Sequence, residues 1–472
     1  MKLSEVVKLI NSTLPSNDDL EVAAYSIDSR TIGQREIFFA IRGEKFDGHE
    51  FVEKAFEKGA IAAVVSKQYQ ATDRVAHRLI RVEDTLEALQ NLAKNLLKTW
   101  NRPIIGITGS AGKTTTKELT SLVLEAKGSV MRSSGNFNNA YGLPLSVLQM
   151  ESRGQKATDF DFTVLEMGMS SKGEITRLCH IAPPDIAAVL NVGTAHIEFL
   201  GSQQAIAEAK AEIVEGLKPG GTAVLNNDDS FVRAMRSKHS GSILMFGIES
   251  EADIRAVELK ESSLFGTEFH LVTPSGSTIA YLPLPGRHVL YNALVAAAVG
   301  HHFGLSPEEI ASQLRQARPA KHRMDVVKFD KGFTLVDDSY NSSPDALKQM
   351  IKTIGQATGF ARKIIVTGEM LELGQQSVEL HREAGRDAAN ISVDLLVGIQ
   401  GDAKHTIEAA KENGIAAEKL LFFNSSEEAI EPIIERVRPG DLILVKGSRG
   451  VKTDIIVEAI KKRFEIEKGA GA

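Results

Sequence analysis

At roughly 150 residues per domain, a chain of 472 residues has the length for about three domains, each able to bury its own core. Its 43% hydrophobic and 25% charged residues exclude a largely disordered protein, no uninterrupted apolar run reaches the span of a membrane helix, and a net charge of −6 argues against broad nucleic-acid binding. The single cysteine, Cys179, excludes an intrachain disulfide and a multi-cysteine metal site and fits a reducing compartment. The first residues, Met1-Lys2-Leu3-Ser4-Glu5-Val6-Val7-Lys8, mix charges with apolar side chains, so they predict an amphipathic helix rather than a signal peptide. A cytoplasmic protein, monomeric by default, is expected.

Up to about residue 100, short strand-like runs at 36–41 and 60–65 alternate with helical patterns at 52–58 and 85–99, which reads as a small α/β unit. From 102 to about 317, strands that end in polar residues alternate with helices, the signature of a largely parallel sheet whose ligands gather beyond the strands' carboxyl ends. Within that segment, residues 253–285 carry turn signals at Gly266, Pro274 and Gly276 and read as an antiparallel insertion. Past Arg318-Pro319-Ala320-Lys321 the pattern resets. Strand-like runs at 333–336, 363–366, 394–397, 419–422 and 441–445 alternate with helical patterns, giving a second doubly wound domain. The expected fold is α/β in three domains, at 1–100, 101–317 and 318–472.

The middle segment opens on the most informative stretch. The apolar run Ile104-Ile105-Gly106-Ile107-Thr108 breaks into Gly109-Ser110-Ala111-Gly112-Lys113-Thr114-Thr115, with a helix to follow. Glycines let backbone N–H groups turn toward phosphate oxygens, a helix N-terminus adds positive dipole, Lys113 can reach the outer phosphates, and the Thr114 hydroxyl can ligate Mg²⁺. Ile107 stands where a standard P-loop has its first glycine, so the loop is a variant, which weakens a motor or small-GTPase reading.

Glu166 ends the run Val164-Leu165-Glu166-Met167, where a carboxylate can hold Mg²⁺ beside bound phosphates; the alternative is a solvated strand-end glutamate. His196 follows another strand at 186–192 and is either a second metal-site residue or a structural loop histidine. Lys210 lies in the helical run 205–213. It reads as a solvated helix-face charge unless carbon dioxide has added to its amine, which would make an anionic carbamate suited to a hard cation.

Together and in order, Gly109-Ser110-Ala111-Gly112-Lys113-Thr114-Thr115-Thr116-Lys117, Gly135-Asn136-Phe137-Asn138-Asn139, Glu166-Met167-Gly168-Met169, Asn191-Val192-Gly193-Thr194-Ala195-His196-Ile197-Glu198 and Asp337-Asp338-Ser339-Tyr340-Asn341 resemble the Mur ligases across the whole chain. The resemblance implies a UDP-sugar-binding N-terminal domain, a central P-loop-type ATPase domain and a C-terminal Rossmann-like domain that close around the substrates. It implies ATP and Mg²⁺ at Gly109, Ser110, Ala111, Gly112, Lys113, Thr114 and Thr115, with Glu166 and His196 attending the metal and Lys210 as a carbamylated N6-carboxylysine. Asn292 and Arg323 match positions that contact the nucleotide, and Asp338, flanked by Tyr340 and Asn341, matches an aspartate that reaches ATP on closure. Catalysis would rest on Lys113, His196, Lys210 and Asp338. Asn136, Asn138 and Asn139 resemble a segment that approaches the peptide substrate, while Ser29, Arg30, Lys45, Asp47, Gly48 and His49 resemble a UDP-sugar pocket. Ala111 departs from the serine or asparagine often found there.

Within the family the resemblance favours the member that takes UDP-N-acetylmuramoyl-tripeptide and D-alanyl-D-alanine through an acyl phosphate. The ligase adding the third residue carries Asp-Tyr-Ala-His and Asp-Asn-Pro-Arg motifs, whereas this chain reads Asp338-Ser339-Tyr340-Asn341-Ser342-Ser343-Pro344 and has no Asp-Asn-Pro-Arg. The alternatives are a sister ligase adding a single amino acid and a non-catalytic nucleotide-dependent switch.

Overall fold

Three runs of strand-and-helix alternation become three separate sheets in the computed structural model, which describes residues 1–13, 20–43, 46–260 and 263–467. The first sheet contains β1 (Ala24–Ser26), β2 (Glu36–Phe39), β3 (Ala62–Ser66) and β4 (Leu79–Val82), all parallel and in that order. Its central strands carry unbroken apolar runs because helices cover both faces. The helix Thr85–Trp100 starts where the Asp84 carboxylate accepts hydrogen bonds from the N–H groups of Leu86 and Glu87, each at 2.8 Å. Its stripe of Leu89, Leu92, Leu96 and Leu97 enters a core shared with Leu143, Val147, Ile206 and Ile213, so apolar packing joins the first sheet to the second.

The second sheet holds β5 (Ile104–Thr108), β6 (Val130–Arg132), β7 (Phe162–Glu166), β8 (Ile186–Val189), β9 (Thr222–Asn226), β10 (Ser242–Gly247), β11 (Ile254–Val257), β12 (Thr267–Thr273) and β13 (Gly276–Leu282), in the order β13-β12-β11-β10-β9-β8-β5-β7-β6. The chain places β6 and β7 on one side of β5 and β8 and β9 on the other. A crevice therefore opens at the carboxyl end of β5, where the phosphate-type loop begins. The antiparallel part is smaller than the expected 253–285: β11 pairs parallel with β10, and only the β11-β12-β13 pairings are antiparallel. Behind the loop runs the helix Val289–His302, apolar all round and almost wholly buried against the helix Lys113–Leu124.

The third sheet is β14 (Asp325–Phe329), β15 (Phe333–Asp338), β16 (Arg362–Gly368), β17 (Leu395–Ile399), β18 (Leu420–Phe423) and β19 (Asp441–Lys446), ordered β14-β15-β19-β16-β17-β18. β14 is antiparallel to β15 and the other pairs are parallel. β19 inserts between β15 and β16, and its register sets Asp338 opposite Lys446 at the carboxyl ends of the two strands. Among the described residues, no helix is long and apolar enough to cross a membrane.

Candidate active site

Between the second and third sheets lies a cleft of about 1620 Å³. Its walls include Ser110, Ala111, Gly112, Lys113, Thr114, Thr115, Asn136, Asn138, Asn139, Glu166, His196 and Asn292 from the central segment and Arg323, Asp338, Tyr340 and Asn341 from the C-terminal one. Gly109 lies at the root of the same loop, and Lys210 is buried on the helix Gln203–Glu215.

The loop after β5 is braced from β8. Ser110 N–H donates to the Asn191 carbonyl at 3.1 Å, Ala111 N–H donates to Asn191 Oδ1 at 2.9 Å, and Gly193 N–H donates to Ser110 Oγ at 2.9 Å. The first residues of the following helix, Lys113, Thr114 and Thr115, line the cleft, and a helix start leaves N–H groups without intrahelical partners. Gly112 caps that helix at φ +86°, and a Cβ there would lie 2.7 Å from Asn292 Oδ1. Gly112→Ala combines left-handed strain with that clash, so calorimetric titration with ADP should show affinity reduced about 10-fold or more; unchanged affinity would contradict this placement.

Lys113 folds back so that its ammonium donates to the Gly109 carbonyl at 2.6 Å. Burial lowers its pKa, the Glu166 charge opposes that shift and the Arg323 charge adds to it. Glu166 is itself buried, its N–H donating to Ser133 Oγ at 3.0 Å and Asn138 Nδ2 donating to its Oε2 at 3.5 Å. Its other oxygen, Oε1, is buried without a hydrogen-bond donor, and Lys117 Nζ stands 3.6 Å away, engaged with Glu118 at 2.9 Å and the Ser133 carbonyl at 2.8 Å. An orphaned carboxylate oxygen beside a phosphate-type loop and the Thr114 hydroxyl is a donor set that fits a hard cation. Among the described residues no three His, Cys, Asp or Glu side chains gather into a cage, so such a cation would draw other ligands from phosphate oxygens or water.

Lys210 is not the solvated helix-face charge that was the alternative to a metal-site role. The side chain is 2% exposed and, among the described residues, has no ion-pair partner. Burial and the neighbouring Lys113 charge push its pKa well below that of an ordinary lysine, which favours the uncharged amine.

His196 sits at φ +66°, with Nδ1 2.7 Å from Glu372 Oε2 of the C-terminal segment. The approach angle is poor for a hydrogen bond, but the imidazole still holds the Glu372 carboxyl below the usual carboxylate range. Two more contacts cross the cleft. A Cβ on Gly193 would stand 2.2 Å from Asp345 Oδ2, and Gly374 packs against Glu198. Glycine at 193 is what lets the helix Pro344–Gln356 approach so closely.

On the opposite wall the Arg323 guanidinium lies 4.3 Å from the Tyr340 ring centroid. Asp338 is buried, accepting a hydrogen bond from Lys446 Nζ at 2.6 Å. His288 faces this pair from the central segment: burial outweighs the Asp338 charge and, with the Lys446 charge, depresses its pKa to about 4, so the ring is neutral at physiological pH. Lys117, His288, Asp345, Glu372 and Lys446 were not singled out from the sequence. Of these, Lys446 carried a readable signal, a charge ending the apolar run Leu442-Ile443-Leu444-Val445.

The N-terminal set lies apart from the cleft, at the carboxyl ends of β1, β2 and β3. Asp28 holds Arg30 at 2.8 Å, and Ser29 between them is buried. After β2, Asp47 precedes a turn of 3₁₀ helix at Gly48, where Arg42 pairs with it at 2.8 Å and His49 Nδ1 lies 2.6 Å from its carboxylate. Burial alone would raise the Asp47 pKa, but hydrogen bonds from the His49 N–H and side chain and from Arg42 bring it to about 2. His49 Nε2 accepts from the Ser66 N–H at 2.9 Å, which ties the turn to β3. Lys45 lies outside the described residues.

A three-sheet chain with a phosphate-type loop facing a Rossmann-like wall is the architecture of a nucleotide-dependent ligase, and comparison with known proteins is specific about which kind. Residues 21–96 match the Mur ligase family catalytic domain, 107–300 the Mur ligase middle domain and 322–449 the Mur ligase glutamate ligase domain. The chain belongs to the Mur ligase family. It is 34% identical over 458 residues to the UDP-N-acetylmuramoyl-tripeptide–D-alanyl-D-alanine ligase of Bacillus subtilis, covering 97% of both chains. Among solved structures it resembles MurF from Acinetobacter baumannii, with a TM-score of 0.85 at 29% identity over 97% of this chain and 98% of that one. It also resembles the MurF ligase of Thermotoga maritima in complex with ADP, with a TM-score of 0.79 at 30% identity over 93% and 97% of the two chains.

Proposed function

We propose that this protein is the ATP-dependent ligase that joins D-alanyl-D-alanine to the terminal carboxylate of UDP-N-acetylmuramoyl-tripeptide, a step of peptidoglycan precursor synthesis. The observation that carries this reading is the facing of Lys113, Glu166 and Asn292 on one wall of the cleft by Arg323, Asp338 and Tyr340 on the other. The segments 1–100, 101–317 and 318–472 serve as the UDP-sugar-binding, ATPase and C-terminal ligase domains. The enzyme works as a monomer in the cytoplasm, where ATP is available.

A carboxylate and an amine do not condense usefully in neutral water, so the acid must first be activated. A tripeptide carboxylate oxygen attacks the γ-phosphorus of ATP, the bond to the β–γ bridging oxygen breaks, and ADP leaves an acyl phosphate. The uncharged amine of the dipeptide then adds to the carbonyl carbon, loses a proton to water, and the tetrahedral intermediate collapses to the amide by expelling phosphate. Two anions meet in the first step. Lys113 and the N–H groups of residues 110–115 hold the phosphates and take up charge on the transferring group, while Arg323, Tyr340 and Asn292 orient the nucleotide. Thr114 and Glu166, with His196 and a modified Lys210 beside them, would hold Mg²⁺, whose charge screens the repulsion between carboxylate and triphosphate. Asn136, Asn138 and Asn139 guide the peptide, and Ser29, Arg30, Lys45, Asp47, Gly48 and His49 receive the UDP-sugar. Asp338 meets the nucleotide from the third domain, and closure excludes the water that would hydrolyse the acyl phosphate.

The reading of Lys210 as N6-carboxylysine is supported by its burial and depressed basicity, since only the free amine attacks carbon dioxide. In ¹³C-bicarbonate the wild-type protein should show a carbamate carbon resonance that Lys210→Ala lacks. A spectrum identical for the two would remove this assignment.

The reaction is tested by incubating the protein with ATP, Mg²⁺, the tripeptide nucleotide and D-alanyl-D-alanine and weighing the product. A pentapeptide nucleotide formed only when all are present is expected. Product from single amino acids would indicate a sister ligase, and slow ATP hydrolysis without acceptor or amine would indicate a switch.

A further inference from the structure

At the carboxyl end of β19, Lys446 is 2% exposed, yet its ammonium borders the cleft. It donates to Asp338 Oδ2 at 2.6 Å and to the Asn341 carbonyl at 2.9 Å. The first bond fixes the carboxylate of the adjacent strand end, and the second fixes the loop that follows it. That loop carries Tyr340, on which Arg323 stacks, and leads into the helix that begins at Pro344. Weaker ties run the same way, from Ser448 Oγ to the Ser342 carbonyl and from Thr453 Oγ1 to the Ser339 carbonyl, both at 3.5 Å. A buried ion pair is a poor choice where only stability is at stake, because apolar side chains of the same volume would serve as well or better. Placed at the wall of a cleft and bonded to two successive elements of it, the pair instead fixes a geometry.

We propose that Lys446 is a positioning residue for the nucleoside triphosphate: its ammonium locks the Asp338 carboxylate and the 339–343 loop into the arrangement that receives ATP. The proposal rests on the ATP-ligase reading of the cleft and adds to it a residue that acts through its neighbours. Lys446 acts through Asp338 and Tyr340, so its loss falls on the nucleotide and spares the dipeptide.

The experiment compares Lys446→Met, Lys446→Gln and Lys446→Arg with the wild type, measuring KM for ATP and for D-alanyl-D-alanine together with calorimetric binding of a non-hydrolysable ATP analogue. Lys446→Met should raise the KM for ATP and the analogue's Kd about 30-fold or more, leave the dipeptide KM within about twofold, and be largely rescued by arginine. A folded Lys446→Met or Lys446→Gln protein with unaltered ATP parameters overturns the proposal, as does a loss confined to the dipeptide KM. Should both neutral variants fail to fold, Lys446→Arg decides: ATP parameters within about threefold of wild type support a cationic tether, and a shift only in the dipeptide KM refutes it. Failure of the wild type to ligate would count against the functional reading instead, while the analogue-binding comparison would still judge Lys446.

Discussion

Lys113→Ala is expected to lower kcat/KM for ligation by about 10³-fold or more, with thermal unfolding close to that of the wild type. The ammonium is poised rather than structural: among the described residues its one hydrogen bond goes to the Gly109 carbonyl of its own loop, and burial already disfavours its charge. A triphosphate would draw it outward and restore that charge, so its stabilisation grows as negative charge builds on the transferring phosphoryl group. Removing it takes away a cation that the fold hardly uses. Coupled ADP release, together with a circular dichroism melt, checks both halves, and near-normal turnover in the folded variant would contradict the role given to this loop.

Asp338→Ala should abolish ligation as completely but with a different physical signature. Here the structure does depend on the side chain, because Lys446 is buried and its ammonium would lose its carboxylate partner. Breaking a buried pair from one side costs about 3–5 kcal/mol, so a lower melting temperature should accompany the lost activity. Asp338→Asn keeps an oxygen toward Lys446 and should recover part of the stability without the activity. A differential scan and a turnover assay on the two variants separate these effects; full activity in either would remove Asp338 from the site.

How much of this was legible in the sequence follows from how local each signal is. The loop at 109–115 could be read because strand, turn and helix signals are contiguous, and Glu166 because an apolar strand ended in a carboxylate. β1 was missed because three residues, Ala24–Ser26, carry too little periodicity, and β14 because Asp325–Phe329 is interrupted by charge. The antiparallel reading of 253–285 ran too far because turn residues show where the chain reverses but not which neighbour a strand will pair with; β11 joined β10 in parallel.

The site divides in the same way. Lys210 carried the pattern of a surface lysine, and only packing of the helix Gln203–Glu215 against the sheet buries it. Asp345, Glu372 and His288 had no motif, since their meaning comes from contacts between segments about 50 to 175 residues apart across the cleft. Lys446 was readable in principle, because ligand-facing charges collect at the carboxyl ends of parallel strands and β19 is central in its sheet.

The central claim is that the cleft activates a peptide's terminal acid by phosphorylation, and isotope transfer tests it most directly. Tripeptide nucleotide labelled with ¹⁸O in both terminal carboxylate oxygens, incubated with ATP, Mg²⁺ and D-alanyl-D-alanine, should yield inorganic phosphate carrying one ¹⁸O per amide formed, with the other retained in the product. Unlabelled phosphate released alongside the amide would contradict the account.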